Sequence, residues 1–438
     1  MFKILRDALR IQEIRRRILY VLFMLVIIRL GSQIPVPGVN TEFFKSYFEG
    51  NNANDAFNFL NAFTGGGFSS FSILALSITP YITASIIVQL LTIAIPQLEE
   101  MHRDGEDGRR KLTAITRILT VGLSLFESVA MCIGFGNRGL ITNMNAINVI
   151  VVVAALTAGS TLLMWFGEQI NEKGIGNGIS MVLLINILSR VPIDMVTLYE
   201  NFVQGKTVAR ATLAWVIIIA VILGVVVLTL ILNGAERRIP VQYSQKMVGR
   251  RLVGGQASHI PLKVNTGGVI PIIFASSIMS FPGIIVTMTG KSPSGIGGKI
   301  INMLSSSHWF NRSDWFSSIG VLIYIFLVVF FAYFYTSITF NPMEVADNMK
   351  KSGGFIPGIR PGKATEDYLK NVLKYIIFIG AVGLVIVAII PHIFNGLFNA
   401  DVSFGGTSLI IIVSVILETL KQIESMMLVR NYKGFLGA

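Results

Sequence analysis

The chain contains 438 residues, of which 53% are hydrophobic and only 14% are charged, and its formal net charge is +12. Its mean hydropathy of +0.67 lies well to the apolar side of soluble domains, whose cores cannot bury so much apolar surface. The composition therefore argues against a soluble enzyme and predicts an all-α polytopic membrane protein.

Ten apolar runs follow one another along the chain, and each is the predicted core of a membrane-spanning helix. Several are shorter than the roughly 20 residues that a perpendicular span requires, as is typical of transporters and pores, where irregular backbone lines a cavity. The runs are residues 18–30, 73–95, 115–135, 149–166, 179–191, 213–232, 269–288, 319–338, 375–390 and 408–420.

The distribution of basic residues predicts the orientation of the chain, because short loops rich in Lys and Arg stay in the cytoplasm. With both termini inside, about three quarters of the 36 Lys and Arg residues fall in cytoplasmic segments. The opposite orientation would invert this bias. We therefore expect ten spans with cytoplasmic N and C termini.

Residues 63–76, called the plug segment below, form a short apolar stretch just before Pro80. The stretch is too short to cross a bilayer, and the ring of Pro80 disfavours an uninterrupted helix. We expect a half-helix that enters the membrane from outside, breaks, and continues as a full span from about Tyr81. A single kinked helix is the alternative.

Glu127 lies within the third apolar run, where an ionisable side chain costs roughly 2.5–3.5 kcal/mol on insertion scales. Such a side chain usually faces a partner or a cavity, which makes Glu127 a candidate functional residue. The alternative is a protonated carboxyl group that hydrogen-bonds to its own helix.

Three predicted cytoplasmic loops, residues 97–116, 234–265 and 341–374, are unusually long and polar. A solvated basic loop needs no further function, but three such loops together favour a docking face for partners. In the second loop, Arg250 and Arg251 follow an aromatic residue and polar residues, a mixture that suits contact with a phosphate backbone.

The sequence contains no pattern that predicts a cofactor, a metal ion or a catalytic site. The four histidines are scattered, and none is spaced with another His or Cys as zinc ligands are. Residues 290–292 imitate the end of a phosphate-binding loop, but Ile285 stands where that loop requires glycine. We therefore expect a passive conduit rather than an enzyme.

A series of short motifs runs in order along nearly the whole chain. They are GRRK at 108–111, EQI at 168–170, GIGNG at 174–178, IPVQY at 239–243, HIPLKVN at 259–265, GVIP at 268–271, NP at 341–342, ADN at 346–348, FIPGIRPG at 355–362 and FGGTS at 404–408. Together they resemble the SecY family, the pore-forming subunits of the bacterial Sec protein translocase. Motifs of this length, in this order, are not expected by coincidence.

The resemblance implies two inverted five-helix halves, residues 1–201 and 202–438, around a central pore. Unfolded secretory proteins would pass through the pore across the bacterial cytoplasmic (inner) membrane. Transmembrane segments would leave sideways through a lateral gate between helices two/three and seven/eight. The polar residues of this gate would be Thr83, Glu127 and Asn265.

The resemblance also implies how the pore is closed. The plug segment would block the outer funnel with Phe68, Phe71, Ile73 and Leu74. A ring of bulky apolar side chains would narrow the pore and exclude water and ions by dewetting. The implied pore ring consists of Ile78, Ile82, Ile179, Leu183, Ile273 and Ile411.

The implied partners supply what a passive channel lacks. SecA would hydrolyse ATP and depend on Arg360, and the ribosome would contact Arg250 and Arg251 through ribosomal RNA. SecE and SecG would be membrane partners, and signal peptides, unfolded preproteins and lipid would meet the channel during transport. The rival hypotheses are a secondary transporter for a small solute, with Glu127 at its site, and a purely structural scaffold.

Overall fold

The computed structural model describes residues 2–42, 61, 63–141, 144–204, 208–243, 246–248, 251–253, 258–288, 295–305, 309–310, 315–398 and 407–436. The helices are α1 (Phe2–Arg10), α2 (Gln12–Gly31), α3 (Thr79–Ala94), α4 (Pro96–Arg103), α5 (Glu106–Phe135), α6 (Ala146–Lys173), α7 (Gly178–Phe202), α8 (Val208–Gly234), α9 (Ile270–Met288), α10 (Ile296–Leu304), α11 (Ile319–Thr339), α12 (Pro342–Lys351), α13 (Lys363–Phe398) and α14 (Thr407–Leu436). The strands are β1 (Glu236–Tyr243), β2 (Lys246–Val248), β3 (Arg251–Val253), β4 (Ser258–Lys263) and β5 (Gly354–Phe355).

Each of the ten predicted apolar runs overlaps one helix, namely α2, α3, α5, α6, α7, α8, α9, α11, α13 or α14, although residues 73–78 of the second run precede α3 as turns. Within the described ranges, six helical stretches are long and apolar enough to cross a membrane on their own. The pair α3 and α4, bent by 107°, would be a seventh. The remaining runs lie in α9, which is shorter, and in α2 and α14, which carry more charged residues.

The helix contacts separate two groups of five spans. In the first group, α2 packs on α6 and α7, and α5 packs on α3 and α6. In the second group, α11 packs on α9 and α13, and α8 packs on α13 and α14. The groups meet where α7 contacts α8 and α14 and where α5 contacts α9. This packing agrees with two halves, while their inverted relation and the boundary at residues 201 and 202 stay predictions.

The chain breaks before α3, as expected, but the predicted half-helix is wrong. Helical backbone ends at Thr64, and turns follow from residue 65 until α3 begins at Thr79. Phe71 and Ser77 have φ angles of 43° and 52°, in the left-handed region that helices exclude. Pro80 lies in the first turn of α3, where its missing N–H costs nothing. The single kinked helix is therefore excluded as well.

Two of the polar loops contain strands that the sequence did not predict. Strand β1 pairs antiparallel with β4 along its length, and its last two residues pair with β5. The short strands β2 and β3 form a separate hairpin. Because β5 belongs to the loop between α11 and α13, the sheet β4-β1-β5 joins the loops 234–265 and 341–374.

Candidate functional site

The six predicted pore-ring side chains come together in one apolar cluster. Five are buried, and Ile179 is partly buried and packs against the others. Since α3, α7, α9 and α14 all contribute, the cluster draws on both helix groups. Its members are Ile78, which directly precedes α3, Ile82 on α3, Ile179 and Leu183 on α7, Ile273 on α9 and Ile411 on α14.

The beginning of α7 places Ile179 in this cluster. The side-chain oxygen of Asn177 caps the helix by accepting a hydrogen bond from the backbone N–H of Ile179 at 3.1 Å. The side-chain oxygen of Asn171 accepts one from the N–H of Gly178 at 2.7 Å. A Cβ atom at Gly178 would clash with the carbonyl group of Gly167 on α6. Glycine at position 178 therefore permits the close contact of α6 and α7.

Replacing Gly178 by Ala should destabilise the protein by about 1–3 kcal/mol, because the added methyl group forces two helix backbones apart. The measurement is the thermal unfolding midpoint in detergent. Gly224 on α8 is the matched control, since its Cβ position is open space, and Gly224→Ala should not lower the midpoint. An unchanged midpoint for Gly178→Ala would contradict the role given to this contact.

The plug segment is packed against two apolar clusters, one within the first helix group and one shared by both groups. Phe68 and Phe71 are fully buried in a cluster with side chains of α5 and α6. Ile73 is partly buried and packs against the same cluster, whereas Leu74 is buried in the large apolar cluster that also contains the pore-ring residues. All four predicted plug side chains are thus in apolar contact with the surrounding helices.

The backbone of the plug segment is also fixed by long-range contacts. The N–H of Val36 donates to the carbonyl oxygen of Phe71 at 3.0 Å, and the N–H of Ile73 donates to that of Ile34 at 2.9 Å. A Cβ atom at Gly159 of α6 would clash with the carbonyl group of Ile73. The segment therefore holds its place through main-chain contacts as well as apolar packing.

The three predicted gate residues are not joined to one another by hydrogen bonds in the described part of the chain. The hydroxyl of Thr83 donates to a carbonyl one turn earlier in α3, and Glu127 is half-buried on α5. The amide of Asn265 donates to the side-chain oxygen of Asn233 at 2.7 Å, and the amide of Asn233 donates to the hydroxyl of Ser414 at 2.6 Å. Asn265 is therefore tied to α8 and α14 within its own group.

The predicted docking residues lie on the joined loops. Arg360 is exposed in the turn between β5 and α13, and the hydroxyl of Thr365 donates to its carbonyl oxygen at 2.9 Å. Gly358, at a φ of 83°, allows the chain to reverse there. Arg251 begins β3, and Arg250 lies outside the described residues. The backbone at Arg360 is thus fixed while its side chain is open to solvent.

The sheet below this turn is basic. Arg237 and Arg238 of β1 and Lys263 of β4 are exposed. The guanidinium group of Arg238 donates to Glu236 at 2.7 Å, and this hydrogen bond lowers the pKa of Glu236 from its ordinary value. Glu236 therefore stays ionised and offsets only part of the positive charge that the sheet presents.

Comparison with known proteins decides the family. Residues 72–420 match the family model SecY. The protein translocase subunit SecY of Halalkalibacterium halodurans is 40% identical over 443 residues, with 100% of both chains covered. That of Corynebacterium glutamicum is 40% identical over 446 residues, with 98% of this chain and 99% of the relative covered. The chain belongs to the SecY family.

Solved structures show that the fold of this SecY-family chain is that of the translocation channels. The structure of a protein-conducting channel matches with a TM-score of 0.64 at 19% identity, covering 94% of this chain and 92% of that one. Sec61 in the canine ribosome–channel complex from the endoplasmic reticulum matches with a TM-score of 0.58 and the same identity and coverage. The predicted fold class is confirmed.

Sequence reasoning missed the partners of Asn265 in this SecY-family chain. Asn233 is the next-to-last residue of α8, and Ser414 lies in the apolar first half of α14. Each is a polar residue in or beside an apolar run, which is the signal that could have identified it. Their contact with each other could not be predicted, because they are far apart in sequence.

Proposed function

We propose that this SecY-family chain is the protein-conducting channel of a bacterial Sec translocase. It passes unfolded secretory chains across the cytoplasmic membrane and releases transmembrane segments sideways into lipid. The observation that carries the proposal is that the six branched apolar side chains implied for the ring lie in one apolar cluster to which both helix groups contribute. Such a ring excludes water and ions, yet offers a passing peptide no polar group to bind.

The plug segment seals the outer side of this ring. Its aromatic side chains pack with side chains of α5 and α6, and Leu74 belongs to the same apolar cluster as the ring residues. The burial of the ring and plug side chains supports the closed state of the proposed channel. A chain that enters from the cytoplasm would have to displace the plug before it reaches the outer side.

The lateral gate is the seam between α3 and α5 on one side and α9 and α11 on the other. Thr83 and Glu127 belong to the first group, and Asn265 precedes α9 in the second. The bonds of Asn265 to Asn233 keep the start of α9 attached to its own group. An apolar segment can therefore wedge the seam open without breaking these bonds.

The energy for transport comes from partners at the cytoplasmic loops. We propose that SecA, which hydrolyses ATP, docks at Arg360, and that ribosomal RNA contacts Arg250 and Arg251. SecE and SecG complete the membrane complex, and both chain termini lie in the cytoplasm. The exposed basic sheet supports this assignment, because a cationic surface attracts RNA and acidic protein surfaces.

The rival function, a secondary transporter for a small solute, requires a polar substrate or ion site between the helix groups. Where the groups meet, the structure has branched apolar side chains instead. Glu127 is the candidate that this hypothesis needs. Among the described residues it belongs to no group of three or more His, Cys, Asp or Glu side chains that could hold a metal ion.

Cross-linking of a stalled substrate tests the channel directly. The chain is reconstituted with SecE and SecG in vesicles, with a photoreactive amino acid in place of Ile273. SecA, ATP and a preprotein that stalls part-way are then added. We expect the preprotein to cross-link at position 273, and not at Leu223, an exposed position on α8, carrying the same probe. Equal labelling at both positions, or none at 273, contradicts the pore assignment.

A further inference from the structure

The first residues of the plug segment contact a set of polar side chains on α2 and α7. The side-chain amide of Asn186 donates to the carbonyl oxygen of Phe63 at 2.9 Å. The guanidinium group of Arg29 donates to the carbonyl oxygen of Gly65 at 2.8 Å. The hydroxyl of Ser189 lies 3.4 Å from the same oxygen. Side chains of α2 and α7 therefore hydrogen-bond to the main chain of the plug segment at its N-terminal end.

Arg29 and Asn186 are unusual because they are polar side chains within predicted membrane-spanning helices. Arg29 lies in the last turn of α2, and Asn186 is only 3% exposed in the middle of α7. Polar and ionisable side chains inside membrane helices are costly and ordinarily have partners. Here the described partners include backbone carbonyl groups of the plug segment. Arg29 and Asn186 thus bind the backbone of the plug segment.

The fit at Gly65 shows how close this contact is. Gly65 has a φ of +65°, and a Cβ atom there would lie 2.6 Å from the Ser189 hydroxyl and 2.7 Å from the Asn186 carbonyl oxygen. Only glycine lets the plug approach α7 so closely without displacing it. The hydrogen bonds are made to backbone carbonyl groups, so apart from the glycine at position 65 they use no side chain of the plug.

The contact is also incomplete. The side-chain oxygen of Asn186 is buried and has no hydrogen-bond partner among the described residues. Leaving a buried acceptor unsatisfied opposes the closed arrangement, and water could satisfy this atom once the plug moves away. The two hydrogen bonds therefore stabilise the closed arrangement, while the unsatisfied Asn186 oxygen favours release of the plug.

We propose that Arg29 and Asn186 are positioning residues that latch the N-terminal end of the plug segment in the closed channel. The proposal rests on the channel function proposed above. Releasing both hydrogen bonds frees residues 63–65 to leave α7, while the pore-ring side chains keep their contacts. Once the plug has left, the same donors face the outer funnel.

Ion conductance across planar bilayers tests the latch on the full chain reconstituted with SecE and SecG. A hydrogen bond from a buried amide or a charged donor contributes enough that losing it should raise the open fraction, and hence the potassium leak, ~10-fold. We expect this rise for Arg29→Ala and for Asn186→Ala. Arg29→Lys, which keeps a charged donor, should leak less than Arg29→Ala. Arg16→Ala, an exposed change on the same helix, should not leak.

Thermal unfolding midpoints and the plug deletion separate the possible outcomes. A leak at an unchanged midpoint supports the latch, whereas a leak that appears only with a lowered midpoint reflects general loosening and overturns it. If the chain lacking residues 63–76 leaks but both alanine variants stay closed, the latch is wrong and the channel stands. If even that deletion leaves the bilayer sealed, the plug assignment itself fails.

Discussion

Deleting residues 63–76 should turn the sealed channel into an ion leak at least about 100-fold above that of the intact chain. The deletion removes Phe68, Phe71 and Leu74, whose buried side chains each contribute about 1.5–3 kcal/mol to the closed state. Since each 1.4 kcal/mol is a factor of about ten, two such side chains account for the expected change. Conductance of vesicles or planar bilayers measures it.

The matched control for this deletion is Ser70→Ala. The Ser70 side chain is only partly buried, and its hydroxyl donates to a carbonyl within the plug segment itself. Removing it should leave the bilayer sealed. Unchanged conductance after the deletion would mean that residues 63–76 are not the seal, and the scaffold hypothesis would then gain support.

Reversing the charge of Arg360 should lower SecA-dependent transport of a preprotein into vesicles by at least about tenfold. The side chain is exposed on a turn that is fixed by Thr365, so Arg360→Glu changes the docking surface and not the fold. Placing like charges opposite each other at an interface costs several kcal/mol, that is, roughly tenfold or more in affinity. Protease protection of the preprotein measures transport.

Lys351→Glu is the control for this charge reversal, because Lys351 is exposed at the end of α12, in the same cytoplasmic loop. It makes the same change in net charge away from the turn. If Arg360→Glu and Lys351→Glu transport equally well, SecA does not dock at Arg360. If both fail equally, the general charge of the loop matters and the specific role of Arg360 is wrong.

The helices could be predicted from the sequence because length and hydropathy are local properties. Each apolar run became a helix, and Asn177 and Asn341 cap α7 and α12 with their own side chains. The turns from residue 65 onward could not be predicted. They depend on hydrogen bonds with Ile34, Val36 and α7, which lie far away in sequence: the carbonyl oxygen of Ile34 accepts, whereas the N–H of Val36 and the amide of Asn186 donate.

The candidate site also contains features that the sequence could predict and contacts that it could not. Motif resemblance implied six ring residues, each of which alone is an ordinary membrane isoleucine or leucine. All six lie in the large apolar cluster shared by the helix groups, and their role as a ring stays a prediction. The pairing of β1 with β5 and the bonds of Asn265 join segments far apart in the chain. Such pairings leave no periodic pattern in either segment, so sequence reasoning has nothing to detect.

The sheet β4-β1-β5 has a mechanical consequence. Strand β1 begins at Glu236, directly after α8 ends at Gly234, and β4 ends at Lys263, a few residues before α9 begins at Ile270. Strand β5 reaches the same sheet from the turn that carries Arg360. The sheet therefore connects three segments through backbone hydrogen bonds: the end of α8, the segment before α9 and the turn that carries Arg360. A displacement of the Arg360 turn would therefore pass from β5 through β1 to β4 and so to the segment before α9. If SecA docks at this turn, as proposed above, it would act beside the seam without contacting lipid.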